Sequence, residues 1–482
     1  MRIKEAMAKN NKRTMEQAAL IAIMSTSFMV AFMGSSINLA LPVMVQEYTS
    51  TATMSSWVVT SYLLSSAAFL LPVGRLADIQ GRRKFYLTGT CLYTLFTLLT
   101  TLANSMETLI FWRLLQGLAA AMIFGTGMAI LTSVYPPQHR GKAMGWSVSL
   151  TYTGLTLGPA LGGFLTQHLG WRSIFYFTAL LGLVALYQIW YHLQGEWQGA
   201  PEEQFDWKGS LLYGFGLICF LYGLSALTTE NWAGALAISG VILLGAFAGV
   251  ELRSPSPILN FRLFRGNQAF AFSNLAAMIN YSSTFALTFL LSIYLQIVRG
   301  LDTQTAGLIL LIQPVLMAVF SPVAGSLSDR YEPRLVASSG MALSTLGLLA
   351  LAFIHESTSL WLIMVILPLM GLGFALFSSP NTNAVMSSVE PRFYGVASST
   401  LGTMRLIGQS ICMAIATLII SIYVGQTPLN AASHTSIINT LRTAFFTFTI
   451  LSFLGVFASL ARGKVHQDPA PDTIPSSTGI NR

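Results

Sequence analysis

Charged side chains are scarce in this chain. Only 9% of its 482 residues are Asp, Glu, Lys or Arg, against about a quarter in an ordinary soluble domain, while 53% are hydrophobic. That balance excludes a soluble globular protein, a disordered chain and a fibrous repeat. Cysteine is also sparse. Cys91, Cys219 and Cys412 are too few for a disulfide scaffold. Acids are outnumbered by bases, 18 to 26, for a formal net charge of +8. In a soluble protein such an excess would point to nucleic acid. Here its meaning depends on where along the chain the charges sit.

What the chain has in abundance is apolar runs. A membrane helix needs about 20 mostly apolar residues, and such stretches lie at about 18–42, 55–73, 85–103, 109–134, 143–165, 173–193, 210–228, 233–250, 269–296, 305–324, 335–354, 360–379, 396–423 and 443–461. The fold class this predicts is an all-α integral membrane protein of fourteen spans. The basic N-terminus (Arg2, Lys4, Lys9, Lys12, Arg13) precedes a long apolar segment with no clear small-residue cleavage site, so a retained first span is expected. The Pro/Ser-rich stretch from Lys464 reads as a disordered tail, 464–482. Placing the N-terminus inside puts Lys and Arg almost wholly on one side. Only Arg172, Arg299 and Arg442 fall in external breaks, and only Arg113 and Arg405 within spans. This bias predicts cytoplasmic N- and C-termini and a multi-pass protein of the plasma or bacterial inner membrane. It also accounts for the positive charge without nucleic acid. No break is long enough for a separate domain, so any chemistry belongs to the helix bundle or its edges.

Between spans 2 and 3 the chain reads Gly74-Arg75-Leu76-Ala77-Asp78-Ile79-Gln80-Gly81-Arg82-Arg83-Lys84. Two glycines allow a tight turn. An Asp followed by bases can form ion pairs in one conformation that break in another, although an ordinary basic loop would look similar. A degraded copy, Gly325-Ser326-Leu327-Ser328-Asp329-Arg330, follows span 10, and each copy follows a span containing a proline (Pro72, Pro322). Such a repeat suggests two related helix bundles. In span 5, Gly154, Gly158 and Gly162 share one helix face beside Pro159 and Gly163. That face admits close helix approach, and the proline permits a bend.

The Gly74–Lys84 stretch resembles the signature loop of the major facilitator superfamily. Arg113-Leu114-Leu115-Gln116-Gly117 and the span 5 glycine motif resemble motifs of its drug-exporting branches. The span count and Pro380-Asn381-Thr382-Asn383 resemble the fourteen-span drug:proton antiporter family. The resemblance implies two six-helix bundles, 1–195 and 256–463, around a central cavity, with an inserted helix pair at 196–255. It also implies alternating access, with Gly74, Asp78, Gly81, Arg82, Arg83, Asp329 and Arg330 as a conformational switch and the span 5 glycines as an antiporter-type motif.

An ionisable group inside the membrane is costly and marks a candidate functional site. Arg113, with Gln116 a turn along, and Arg405 are the two within spans. No acid lies at the middle of an expected span. Many members of the resembled family carry an Asp about nine residues before an NxALP stretch; here that stretch is Asn38-Leu39-Ala40-Leu41-Pro42 and the aligned residue is Met33. Any proton coupling would then fall to Asp78, Glu107 or a histidine near a span end. Neutral cavity candidates are Phe28, Met29, Phe32, Met33, Ser36 and Asn38 in span 1, and Tyr62 in span 2. Tyr152 follows in span 5, Asn274, Asn280 and Tyr281 in span 9, and Asn381 and Asn383 in span 12. Lipid contact or packing would equally suit the Met and Phe residues; an amide facing lipid is unfavourable.

The expected function is secondary active export of lipophilic or amphiphilic small molecules, driven by a proton gradient, from a monomer that needs no metal or cofactor. The alternative is a transporter of anionic or lipid-like amphiphiles without proton coupling through a buried carboxylate. A membrane enzyme is disfavoured by the lack of HExxH, GxSxG and Walker motifs. A sensor is disfavoured by the lack of a soluble output domain.

Overall fold

A computed structural model describes residues 2–259, 261–390, 394–425 and 432–463. The expected tail and the Asp329 side chain lie outside the described residues. The helices are α1 (Arg2–Glu47), α2 (Ala52–Gln80), α3 (Arg82–Thr101), α4 (Met106–Val134), α5 (Pro137–Leu169), α6 (Arg172–Tyr191), α7 (Trp207–Ser225) and α8 (Ala233–Glu251). After a turn at Arg262–Arg265 comes α9 (Gln268–Val298). Then follow α10 (segments Thr303–Leu310 and Ile312–Arg330), α11 (Pro333–Leu351), α12 (Leu360–Ser387), α13 (Tyr394–Tyr423) and α14 (His434–Leu460).

Short polar residues start these helices by accepting from amides that have no partner in the first turn. Thr51 accepts from Met54 N at 3.2 Å, Asn267 from Phe270 N at 2.9 Å and Ser433 from Ser436 N at 3.1 Å. The Ser433 cap starts α14 nine residues before the apolar run expected at 443, so the run marks only the membrane-buried part of the helix. The helix α9 is broken after Thr284 and ends in a π-helical turn, Tyr294–Val298. At the break the Ala286 amide donates to the Cys412 thiol of α13 at 3.3 Å, which satisfies a donor that lipid would leave unpaired.

Among the described residues, twelve helices are long and apolar enough to cross a membrane; α3 and α5 are the two expected spans outside that set. The shortfall of α3 comes from its basic start, Arg82-Arg83-Lys84, and from its threonines. Thr90, Thr94, Thr97 and Thr100 each donate to the carbonyl one turn back, at 2.6 to 2.8 Å, so their hydroxyls are spent within the helix.

The helices α1 to α6 pack together, chiefly α1 on α5 and α6, α2 on α4, and α3 on α4 and α6. A second group forms from α9 to α14, with α9 on α13 and α14, α11 on α12 and α14, and α10 on α12. The groups meet along two seams, α2 with α13 and α5 with α10, while α7 pairs with α8 and touches both α2 and α13. The ends carrying the connections near residues 81, 135, 200, 260 and 332 hold most of the Lys and Arg and form the basic end. At the opposite end Glu47 ties α1 to α6, accepting from Trp171 Nε1 and Arg172 Nη1, both at 2.6 Å. Arg172 also donates to Tyr48 and to the Thr101 carbonyl, and its guanidinium lies 4.3 Å from the Trp171 ring centroid. Burial pushes the Tyr48 phenol above its ordinary range, so it keeps the proton it donates to the Ala103 carbonyl at 2.7 Å.

Candidate transport site

One set of polar groups at the meeting of the two helix groups lies around Arg405 on α13. Its Nη2 donates to Thr382 Oγ1 of α12 at 2.7 Å, and its guanidinium lies 5.8 Å from the Tyr281 ring centroid of α9. Its Nε is buried with no partner. Tyr281 is set edge-on to Phe374 at 5.3 Å. From the other group, Tyr152 of α5 hydrogen-bonds Ser378 of α12 at 3.1 Å, and Thr156 donates to the Pro314 carbonyl of α10 at 3.2 Å. Neighbouring amides are poorly satisfied. Both amide atoms of Asn280 and of Asn381 are buried without a partner, as is Oδ1 of Asn274. A cation with a free donor, aromatic faces and unpaired amides can together hold an aromatic or amphiphilic molecule through stacking, cation–π contact and hydrogen bonds.

Arg113 sits elsewhere. It is 1% exposed within the first group. Its Nε donates to the Val58 carbonyl of α2 at 3.1 Å, its Nη1 donates to Gln116 Oε1, and Gln116 donates to Thr97 of α3 at 2.6 Å. The guanidinium lies 4.4 Å from the Tyr62 ring centroid. No carboxylate touches it among the described residues. Backbone carbonyl, amide and π-face take the place of a counter-ion, and the Ser65 hydroxyl remains buried and unpaired in the same group. The sequence put Arg113 and Arg405 in the same class; in the fold Arg113 is enclosed within the first group, whereas Arg405, held by Thr382 and Tyr281 of the second, lies near the Tyr152–Ser378 bond that joins the groups.

Several cavity candidates of α1 face neighbours of their own group. Phe32 meets Phe177 edge-on at 5.0 Å, Met33 Sδ lies 3.9 Å from the Thr178 hydroxyl, and Ser36 donates to the Gly158 carbonyl at 3.1 Å. Met29 is fully buried, and Phe28 stacks on Phe32 at 6.1 Å. Asn38 reaches the second group, its carbonyl accepting from Ser292 of α9 at 2.7 Å. Asn383 bonds Ser328 of α10 at 3.1 Å, within its own group.

The span 5 glycines make the close approaches their spacing predicts. Gly154, Gly158 and Gly162 press on α1 at Phe28, Ser35 and Ser36, and Gly163 presses on the Thr303 carbonyl of α10. A Cβ on Gly307 of α10 would stand 2.3 Å from the Pro159 carbonyl oxygen. At the end opposite the basic one the groups also meet where His168 of α5 pairs with Gln304 of α10 at 3.0 Å, Gln296 of α9 with the Leu39 carbonyl of α1 at 3.2 Å, and Thr53 of α2 with the Gly425 carbonyl after α13 at 3.0 Å.

At the basic end Asp78 pairs with Arg82 at 2.6 Å, and Arg82 also reaches Ser133 of α4 at 2.7 Å. Gly81 turns the chain at φ +128°, a conformation that L side chains rarely adopt. The segment joining α6 to α7 straps this loop down. Glu196 accepts from the Arg83 and Lys84 amides at 2.7 and 3.1 Å and so caps α3. The Asp78 carbonyl accepts from Gly199 and Ala200, and Arg75 pairs with Glu203. Sequence reasoning missed Glu196 and Glu203; their only sequence signal was acidity in a polar connection. Arg330 is exposed at the end of α10, and Glu107 is exposed in the first turn of α4. Asp78, Glu107 and Glu251 sit within three residues of helix ends, and Glu16 lies where the apolar part of α1 begins. No group of residues able to hold a metal ion occurs among those described.

A family model described as Major Facilitator Superfamily matches residues 23–411 and 273–479. The chain is 29% identical over 386 residues to the riboflavin transporter RibZ of Clostridioides difficile, covering 80% of this chain and 84% of that one. It is 30% identical over 409 residues to the multidrug resistance protein Stp of Mycobacterium tuberculosis, covering 83% and 76%. Among solved structures it resembles a bacterial homologue of the human lysosomal transporter Spinster, captured inward-facing and unoccupied. The TM-score is 0.67 at 16% identity, covering 94% of this chain and 99% of that one.

Proposed function

The chain belongs to the major facilitator superfamily, and we propose that within it the protein exports lipophilic or amphiphilic small molecules by alternating access. It is a transporter, not an enzyme, and a multi-pass membrane protein. The observation that carries the export reading is the Arg405 site, where a partly unpaired guanidinium, the Tyr281 and Phe374 rings and the Tyr152–Ser378 bond lie at the meeting of the two helix groups. A site with walls in both groups is reshaped when the groups rock, which is what alternating access requires. Its chemistry suits an aromatic or amphiphilic substrate with a neutral or anionic polar group. A hard small cation would find no carboxylate there.

In this reading α1–α6 and α9–α14 are the two rocking halves of a monomer. The fold is then fourteen spans with both termini and the basic end cytoplasmic, and α7–α8 is the inserted pair of 196–255. The Asp78–Arg82–Glu196 loop is the switch that makes and breaks with the motion. Export is driven by a proton gradient, with Asp78 and Glu107 as the coupling carboxylates.

A second reading is transport of an anionic or lipid-like amphiphile, without proton coupling through a buried carboxylate. The lack of an acid near the middle of any membrane-crossing stretch among the described helices, with Met33 packed on Thr178, favours it. The riboflavin transporter among the relatives fits either reading, since a neutral heteroaromatic substrate is within the class that the site suits.

The test is transport in proteoliposomes with an imposed pH gradient, using one cationic, one neutral and one anionic amphiphile. Gradient-dependent transport of the neutral or anionic probe is expected. Transport of the cation alone would overturn the substrate class. Transport indifferent to the gradient would remove proton coupling and leave the second reading.

A further inference from the structure

A cavity of about 650 Å³ opens at the basic end of the α7–α8 pair, outside the two helix groups. Its walls include Phe205, Asp206, Lys208, Val250, Arg253 and Ser254. Asp206 is part of the wall, and Glu251 lies beneath it with Oε1 buried and unpartnered. Asp206 Oδ1 caps α7 by accepting from Gly209 N at 2.8 Å, and its Oδ2 accepts from Ser254 Oγ at 3.1 Å. Glu251 is 3% exposed and accepts from Leu259 N at 3.2 Å. Lys208 and Arg253 are exposed on the cavity wall and make no ion pair among the described residues. The cavity therefore presents two cations that make no ion pair among the described residues, beside one carboxylate, Asp206, whose oxygens are held by Gly209 and Ser254.

Its surroundings are those of a bilayer interface. Trp207, at the first position of α7, is 65% exposed, and a tryptophan there is a usual interfacial anchor. Further along the pair, Leu211 and Phe215 of α7 and Ile238, Val241 and Ile242 of α8 are exposed apolar side chains. The cavity thus places a polar, cationic mouth at the end of a helix pair whose flank is apolar.

We propose that this cavity is a binding site for the phosphodiester headgroup of an anionic phospholipid, held by Lys208 and Arg253, with its acyl chains against the exposed faces of α7 and α8. Basic pockets between membrane helices on the cytoplasmic side are suited to such headgroups. A free phosphate would use the cations and leave the flank unused. The site would also fix the depth of the helix pair. That matters because α7 touches both halves, through Tyr213 to the Ala67 carbonyl at 2.8 Å and, just beyond its end, Thr228 to Ser421 of α13 at 2.6 Å. The proposal depends on the protein being embedded in a bilayer and not on its substrate.

The test uses the full chain in phosphatidylcholine nanodiscs doped with a phosphatidylglycerol that carries a photoreactive headgroup, with crosslinks mapped by mass spectrometry. Crosslinks are expected at 204–208 and 249–256. The double variant Lys208→Ala/Arg253→Ala should lower the apparent affinity about thirtyfold, from about one charge contact per residue. The Lys208→Arg/Arg253→Lys exchange should restore it. An unchanged unfolding midpoint in phosphatidylcholine alone would attribute the loss to binding. Unlabelled phosphatidylglycerol should compete, and phosphatidylcholine and inorganic phosphate should not. Crosslinking that persists in the alanine variant overturns the proposal, as does equal competition by phosphatidylcholine or by inorganic phosphate.

Discussion

The α5–α10 seam gives the sharpest prediction. Gly307 faces the Pro159 carbonyl so closely that an added Cβ would stand 2.3 Å from its oxygen and 3.1 Å from its carbon, about 1 Å inside ordinary contact. Both surfaces are backbone, so no side chain can swing away. Gly307→Ala must therefore push the helices apart, and overpacking of this kind costs about 1–3 kcal/mol. The contact joins the two groups, so the strain falls on the conformation in which they touch there and is relieved when they separate. That biases the equilibrium away from the closed seam by about five- to 150-fold. Spin labels on exposed Gln46 and Ser357, at the non-basic ends of the two groups, would read the change as a shift to longer distances. Cys91 and Cys219 would be replaced and buried Cys412 left in place. Gly163→Ala, whose Cβ would stand 2.7 Å from the Thr303 carbonyl, should act in the same direction and fall short of additivity with Gly307→Ala, because the two share one seam. An unchanged distance distribution in a folded Gly307→Ala protein would refute the reasoning, since the clash would then have been absorbed within one group.

Three further substitutions test other parts of the site. Arg405→Ala should raise KM for an anionic substrate about tenfold or more, the loss of one charge-assisted hydrogen bond, and affect a neutral one less; equal effects on both would deny it a charge-reading role. Arg113→Ala strips the Val58 carbonyl and Gln116 of their partner and should abolish transport while the protein still inserts in the membrane; normal efflux from that variant would show these bonds to be dispensable. Glu196→Gln weakens the cap on α3 by about 0.5–2 kcal/mol and should slow turnover with KM unchanged, whereas weakened affinity at unchanged turnover would place Glu196 in binding.

The sequence by itself determined the membrane environment, the approximate positions of the helices and the gathering of Lys and Arg at one end. Each depends on residues close together in the chain. Hydropathy accumulates over about 20 residues. The glycine rows of α5 were legible for the same reason, since a four-residue repeat defines a face whatever packs on it. Only the tertiary structure decided which partner each face meets. It drew Phe32, Met33 and Ser36 of α1 toward α5 and α6, and it enclosed Arg113 while leaving Arg405 with an unpaired Nε near the meeting of the groups. It also set Glu196 on the start of α3 from 113 residues along the chain. These outcomes follow from how helices of similar apolar character pack. In lipid, apolar surface alone does not choose between neighbours, so close glycine approaches and buried hydrogen bonds between distant residues make the choice.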